Sequence, residues 1–206
     1  MIERLLLLPV GDGAVGKTSI ISRFISGDFV TLKMPHSWKS DNAFLRPLPA
    51  LWGRKTITKA DGTQLAIDIK EPCYQPSDIS LKEQVRRMID GERFGLLLVY
   101  DISRPNSFCN INNHLKGIQN VIEWNKLRYN KSSEIFGIAV VGNKSDLRDS
   151  NVPLVNQADG EQYAETISNI YEIPIFFIET SAKTGYNIEQ LFSELVSIFQ
   201  GGGNSD

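Results

Sequence analysis

A glycine-rich segment near the N-terminus has the residue types and spacing of a phosphate-binding loop. Residues 11–19, called the phosphate loop below, have the sequence GDGAVGKTS and match G-x-x-x-x-G-K-[ST]. Glycines let the backbone curl so that N–H groups point at phosphate oxygens, and a following helix N-terminus favours negative charge. Lys17 is expected to reach the β and γ phosphates of a nucleotide, and the Thr18 hydroxyl to bind Mg²⁺. The residues predicted to bind the nucleotide here are Asp12, Gly13, Ala14, Val15, Gly16, Lys17, Thr18 and Ser19.

Two further polar segments each follow an apolar stretch. Residues 143–146 (NKSD), the base loop, follow the stretch 135–141, and residues 179–183 (ETSAK), the C-terminal loop, follow 174–178. Each pattern alone is also typical of an ordinary polar loop. Ligands of parallel sheets bind at the carboxyl ends of the strands, which share one edge. We therefore expect both segments to face the same crevice as the phosphate loop.

The elements that position these loops follow from hydrophobic periodicity. Almost wholly apolar segments, typical of strands buried on both faces of a parallel sheet, occupy 2–10, 94–100, 135–141 and 174–178. A period of two around Asp61-Gly62 predicts a β-hairpin. Helical periodicity is strongest at 187–199 and weaker near 17–26, 78–90, 106–127 and 157–170. These elements predict an α/β fold with a mixed, mostly parallel six-stranded sheet and helices on both faces. Residues 1–199 are expected to form a single domain, followed by a disordered glycine-rich tail at 200–206.

Composition and charge exclude several functional classes. The 206 residues include 22 Lys+Arg and 24 Asp+Glu, a net charge of −2, which provides no overall field for binding nucleic acid. The apolar segments are too short to cross a bilayer, and the N-terminus does not resemble a signal peptide. The two cysteines, Cys73 and Cys109, cannot form a disulfide framework and indicate a reducing compartment. We therefore expect a cytoplasmic protein that does not bind nucleic acid.

The three loops, in this order, resemble those of a small GTPase of the Ras superfamily, over essentially residues 2–199. The phosphate loop is similar to that of Rho and Rab proteins, whereas 94–108 and 159–199 are closer to Ras or Rab. The resemblance implies a P-loop NTPase fold and a GTP/GDP molecular switch in signalling or trafficking. It also implies Mg²⁺ as cofactor and effector, exchange-factor or activating proteins as partners.

The resemblance further assigns residues that recognise guanine. Asp146 would accept hydrogen bonds from the ring N1 and the exocyclic amine, a pair of donors that adenine lacks. Asn143 would tie the loops together, and the Lys144 stem would stack on the base. The Ala182 N–H would meet the guanine carbonyl. Phe29 matches the aromatic that packs against the base, with a place in the core as the alternative. The residues implied to support the C-terminal loop are Ser181 and Lys183.

Switch I departs from the family pattern. His36 stands where the family has a threonine that binds Mg²⁺, and an imidazole cannot supply a hard oxygen ligand. Ser37 or Thr31 would have to replace it. The long segment 36–52 predicts a mobile or restructured switch I, with His36 as an exposed loop residue.

Switch II departs as well. Glu71 aligns with the family's aspartate and is the predicted Mg²⁺ ligand beside Thr18, with Asp68 as the alternative acid. Tyr74 stands where the family has a glycine. The turn at that glycine is expected to need a positive φ, which a tyrosine disfavours. Gln75 aligns with the glutamine that orients the attacking water, with a surface glutamine as the alternative.

Two functions fit these residues. The first is a GTP/GDP switch that hydrolyses GTP slowly, with Lys17 and Gln75 as catalytic residues. The second is a pseudo-GTPase that holds GTP or GDP structurally and offers a constitutive protein interface. The base loop opposes a third, a nucleotide kinase or ATPase.

Membrane association is expected only if a lipidated tail is missing from the sequence, because no prenylation motif is present. Residues 123–134 are predicted to be a surface insertion in the form of a solvated loop. The alternative is that this segment contacts a partner or lipid through Lys126, Arg128 and Lys131.

Overall fold

A six-stranded sheet with helices on both faces forms the body of the protein. A computed structural model describes residues 2–29, 51–59, 62–72, 78–150, 152 and 154–201. The strands are β1 (Glu3–Val10), β2 (Leu51–Thr58), β3 (Gln64–Glu71), β4 (Arg93–Asp101), β5 (Glu134–Asn143) and β6 (Ile175–Thr180). The helices are α1 (Lys17–Ser26), α2 (Asp78–Ile89), α3 (Pro105–Tyr129), α4 (Gln157–Tyr171) and α5 (Ile188–Gly201). The sheet order is β2-β3-β1-β4-β5-β6.

All pairings in the sheet are parallel except that between β2 and β3. These two strands form the predicted hairpin, with Leu51 opposite Glu71 and Thr58 opposite Gln64. The predicted fold class, a mixed and mostly parallel six-stranded sheet, is therefore confirmed. Because β1, β3, β4, β5 and β6 are parallel, their carboxyl ends lie along one edge, where the loops that follow them meet.

Alternation along the buried strands divides the core into two halves. In β1, Leu5 and Leu7 pack with residues of α1 and α5 on one face of the sheet. Leu6 and Leu8 pack with residues of α2, α3 and α4 on the other face. Successive side chains of a strand point to opposite faces, so a strand covered on both sides is continuously apolar. This is why the apolar segments of the sequence correspond to the parallel strands.

The segment 123–134 differs from its prediction. The prediction of a solvated loop is wrong, because α3 continues to Tyr129 and β5 begins at Glu134. The helix ends where Asn130 adopts the left-handed conformation (φ 52°) and its N–H bonds to the Asn125 carbonyl. The segment is nevertheless at the surface, and Lys131 pairs with Asp90 at 2.5 Å. At the other end of the chain α5 extends to Gly201, so the first two residues of the predicted tail are helical.

An ion-pair cluster joins three strands near the edge of the sheet. Asp68 of β3 is almost fully buried and accepts hydrogen bonds from Arg4 of β1 (2.5 Å) and Arg54 of β2 (2.8 Å). The hydrogen bond from Arg54 and that from Arg4 hold the pKa of Asp68 below its usual value, against the opposing effect of burial. The cluster therefore favours ionised Asp68 in the folded protein.

We predict that Asp68→Asn lowers the free energy of unfolding at pH 7 by about 2 kcal/mol, since charge-assisted hydrogen bonds are lost. A carboxyl whose pKa is lowered on folding contributes stability above its unfolded pKa of about 3.9, and that stability is lost as pH falls. Urea unfolding should thus show a difference between wild type and variant that shrinks below roughly pH 4. Asp149→Asn, at an exposed position, is the control. A difference that is the same at pH 7 and pH 3 would contradict the assignment.

Candidate nucleotide-binding site

The phosphate loop connects β1 to α1 and packs closely against its neighbours. A Cβ on Gly11 would lie 2.0 Å from the Val99 carbonyl oxygen of β4. Gly16 has a φ of 101°, and a Cβ there would lie 2.2 Å from the Asn143 Nδ2 atom. Glycine is therefore required at both positions by space, and at Gly16 by backbone conformation as well.

The Lys17 side chain folds back into the phosphate loop. Lys17 is buried, and its Nζ donates to the carbonyl oxygens of Gly11 (2.9 Å) and Asp12 (2.8 Å). Burial lowers the pKa of the Lys17 ammonium, while the Glu71 and Asp12 carboxylates oppose that shift. The ammonium is thus held at the centre of the loop by backbone carbonyls, where it can attract an anion.

An acid of β3 lies beside the start of α1. The Thr18 hydroxyl donates to Glu71 Oε2 at 2.7 Å, and Glu71 is 8% exposed. Burial raises the pKa of Glu71, opposed by the Thr18 hydrogen bond and the charge of Lys17. The alternative acid, Asp68, instead forms ion pairs with Arg4 and Arg54. Hydroxyl and carboxylate oxygens are ligands that Mg²⁺ prefers, so Thr18 and Glu71 suit that ion.

The Asn143 side chain connects three loops. Its Nδ2 donates to the Val15 carbonyl of the phosphate loop at 2.8 Å. Its Oδ1 accepts from the Ala182 N–H at 3.2 Å and from the Thr180 hydroxyl at 3.3 Å, both in the C-terminal loop. The Ala182 N–H, which the resemblance assigns to the guanine carbonyl, is thus bound to Asn143 in this structure. The loop-tying role predicted for Asn143 matches these contacts.

Two charged side chains of the base loop have protein partners. Asp146 accepts from the Ser181 hydroxyl at 2.6 Å, and its other carboxylate oxygen lies 3.6 Å from Lys183 Nζ. The Lys144 ammonium donates to the carboxylate of Asp101 at 2.6 Å. Asp146 is therefore held in place from the C-terminal loop, while Lys144 is directed towards the end of β4.

An arginine of α1 connects that helix to the C-terminal loop. Arg23 donates from Nε to the Ala182 carbonyl at 2.9 Å, and its Nη2 donates to the Lys183 carbonyl. Phe29, two residues after Gly27, is 42% exposed, so its ring is not a core side chain. Arg23 therefore fixes the C-terminal loop to α1, and the exposed Phe29 follows the end of that helix.

Comparison with known proteins adds to this geometry. The model of the Ras family matches residues 54–200 of the chain. The Ras-related protein RAB1BV of Beta vulgaris is 30% identical to the chain over 186 residues, which are 90% of the chain and 71% of that protein.

The chain belongs to the Ras family.

The protein is thus a small GTPase, of a family whose members act as guanine-nucleotide switches in signalling or trafficking together with regulatory or effector proteins. Ras-family proteins generally bind GTP or GDP with Mg²⁺. The identification made from the sequence is confirmed. Within the described part of the chain, no helix has the length and apolar character needed to cross a membrane.

In this Ras-family protein the structure brings most of the predicted site residues to one edge of the sheet. The phosphate loop, the base loop, the C-terminal loop and Glu71 meet there. Gln75 lies outside the described residues, as do His36 and Tyr74, so the catalytic role of Gln75 stays a prediction.

Sequence reasoning missed several residues of the site. Asp101 is 1% exposed and accepts hydrogen bonds from Lys144 and Arg104. Asp101 stands at the carboxyl end of β4, and ligands of parallel sheets bind at the carboxyl ends of the strands, so the same rule that predicts the other loops also predicts this residue. Arg104 donates to the Gly13 carbonyl at 2.8 Å. Its role depends on where α3 packs, and no local pattern indicates it.

We predict that Asn143→Ala lowers the free energy of unfolding by about 3 kcal/mol, because the Val15 carbonyl and the Ala182 N–H lose their partner in a buried place. Urea unfolding at one fixed GDP concentration would measure this, since bound nucleotide shifts the apparent stability. Asn113→Ala, an exposed asparagine on α3, is the matched control. Equal losses in the two variants would show that the three-loop connection does not stabilise the protein.

Proposed function

We propose that the protein is a GTP/GDP switch that hydrolyses GTP slowly, with its nucleotide in the site formed by the phosphate, base and C-terminal loops. One observation carries this proposal. The buried Lys17 ammonium stands at the centre of the phosphate loop, with the Thr18–Glu71 pair beside it. In that place Lys17 would neutralise charge on the β and γ phosphates, and Gln75 would orient the attacking water.

Thr18 and Glu71 would hold the Mg²⁺ ion. Their oxygens are 2.7 Å apart beside Lys17, and both are hard donors. Mg²⁺ bound there would neutralise charge on the phosphate oxygens. Proteins commonly hold this ion with one or two protein oxygens together with substrate phosphates. Such a site needs no larger cluster of acids, and the described residues contain no group of three or more His, Cys, Asp or Glu suited to a metal.

The base loop supports selection of guanine. The Asp146 carboxylate accepts a hydrogen bond from the Ser181 hydroxyl at 2.6 Å and lies 3.6 Å from Lys183 Nζ, so two residues of the C-terminal loop hold it. A carboxylate held in this way accepts two donors from guanine and repels a base that lacks them. The Lys144 stem and Phe29 are proposed to contact the base, and the Ala182 N–H to exchange its Asn143 contact for the guanine carbonyl.

A pseudo-GTPase is the second candidate, and two residues of the switch regions favour it. His36 and Tyr74 replace the family's threonine and glycine, and an imidazole cannot supply the hard oxygen ligand that Mg²⁺ prefers. In this case the nucleotide would be a structural ligand and the switch regions a constant protein interface.

The wider setting follows from the same proposal. Residues 1–199 would form a single GTP-binding domain, and effector, exchange-factor or activating proteins would be the partners. The protein would work in the cytoplasm without binding nucleic acid.

Single-turnover phosphate release from the GTP-loaded protein separates the two candidates. We predict release on the order of 10⁻⁴ s⁻¹ with Mg²⁺, slower release with a chelator, and a roughly tenfold slower rate in Gln75→Leu. Gln190→Leu, on the exposed face of α5, is the control. No release over many hours, or release indifferent to Mg²⁺, would favour the pseudo-GTPase. Equal rates in wild type and Gln75→Leu would remove only Gln75 from the mechanism.

Guanine selection is tested by Asp146→Asn. We predict that GTP affinity falls roughly a hundredfold while xanthosine nucleotides gain affinity, because an amide can donate where the carboxylate accepts. Competition against a fluorescent GDP analogue would measure both changes. Asp149→Asn, three residues away and exposed, should leave the preference unaltered. Unchanged GTP affinity in Asp146→Asn would refute the assignment.

A further inference from the structure

The phosphate loop contains an acid, Asp12, beside a place where phosphates are proposed to bind. Both of its carboxylate oxygens are engaged by α3. Asn110 Nδ2 donates to Oδ2 at 2.9 Å, and His114 Nε2 lies 2.8 Å from Oδ1. Asn110 and His114 are four residues apart, so they share one face of the helix. The carboxylate is thus directed onto α3 by two side chains.

Asp12 carries its negative charge in this arrangement. Burial opposes ionisation, but the hydrogen bonds from Asn110 and His114 outweigh it, and the pKa of Asp12 is below its usual value. The side chain of Asp12 is 28% exposed and that of His114 is 19% exposed, so the contact is partly shielded from water. A charge in such a place acts more strongly on its neighbours than one in bulk water.

A free Asp12 carboxylate would act on the Lys17 ammonium. Lys17 Nζ already donates to the Asp12 carbonyl at 2.8 Å, and the Asp12 carboxylate acts on the pKa of Lys17 by its charge. Released from α3, the carboxylate would compete with phosphate oxygens for Lys17 and repel them. Like charges within a few ångströms disfavour one another strongly.

The same helix also holds the next residue of the loop. Arg104, which precedes Pro105 at the start of α3, donates from Nη2 to the Gly13 carbonyl at 2.8 Å. Its Nε donates to Asp101 at 3.1 Å, which fixes the guanidinium. The α3 region therefore holds two consecutive phosphate-loop residues, one by its side chain and one by its backbone.

We propose that Asn110 and His114 are positioning residues that keep the Asp12 carboxylate on α3, away from Lys17 and the nucleotide phosphates, and so set how long the protein retains GDP. This inference rests on the proposed nucleotide site. Neither side chain touches the nucleotide in this scheme. Both act through Asp12.

Dissociation of a fluorescent GDP analogue, chased with excess GDP, tests the proposal. His114→Ala and Asn110→Ala should each release the analogue roughly tenfold faster than wild type. His114→Gln, which keeps a donor, should recover most of the retention. Asn110→Asp, which places a second carboxylate against Asp12, should release faster than Asn110→Ala. Lys116→Ala, an exposed residue of α3, is the control.

A double-mutant cycle separates positioning from general loosening of the fold. In an Asp12→Ala background, His114→Ala should have little further effect on release, because the charge it restrains is gone. An equal acceleration with and without Asp12 would overturn the proposal. If His114→Ala does not fold, Asn110→Ala in the two backgrounds gives the same comparison.

The experiment distinguishes failure of the proposed function from failure of this inference. A wild-type protein that does not bind the GDP analogue would overturn both the nucleotide site and this inference. A wild-type protein that retains GDP, with His114→Ala and Asn110→Asp releasing it at the wild-type rate, would overturn the inference alone.

Discussion

The site depends on one close contact, between the side-chain amide of Asn143 and the backbone of the phosphate loop. The amide reaches the Val15 carbonyl only because residue 16 is a glycine. A Cβ at that position would lie 2.2 Å from the Asn143 Nδ2 atom. The same side chain accepts the Ala182 N–H. A single buried residue thereby sets the spacing between the loop for phosphates and the two loops for the base. A longer or shorter side chain would change all three distances together.

Around this contact, charges are balanced locally rather than by the chain as a whole. Asp101, almost fully buried, is compensated by Lys144 and Arg104, because an unpaired buried carboxylate would be costly. Asp146 has a hydroxyl and an ammonium beside it. The cation left inside the phosphate loop is Lys17, which is bound to backbone carbonyls. This explains how a chain with a net charge of −2 can present a site suited to a polyanion.

The features that the sequence predicts correctly are those set by residues close together in the chain. They are the continuous apolar strands, the hairpin around residue 62 and the phosphate loop between a strand and a helix. The contacts of α3 with the phosphate loop join residues about 90 to 100 positions apart, and only the packing of the helix on the sheet brings them together. The helix predicted near 106–127 covers nearly all of α3, but the end of α3, up to Tyr129, falls in the segment predicted to be a solvated loop. Most side chains there are exposed, so no apolar face marks where the helix ends.

The position of α3 is itself set by the core, and this determines how firmly the phosphate loop is held. Four side chains along its inner face, Ile111, Leu115, Ile118 and Val121, are buried against the sheet. A helix anchored over that length cannot shift at one end without disturbing close-packed neighbours. Arg104 directly precedes α3, and Asn110 and His114 lie in its N-terminal half, so their contacts hold Gly13 and Asp12 against a helix that is itself fixed in place. A strained loop, with Ala14 at a positive φ of 60°, is stable only where its surroundings over-determine it. The phosphate loop meets that condition because α3 holds it from one side and Asn143 from the other.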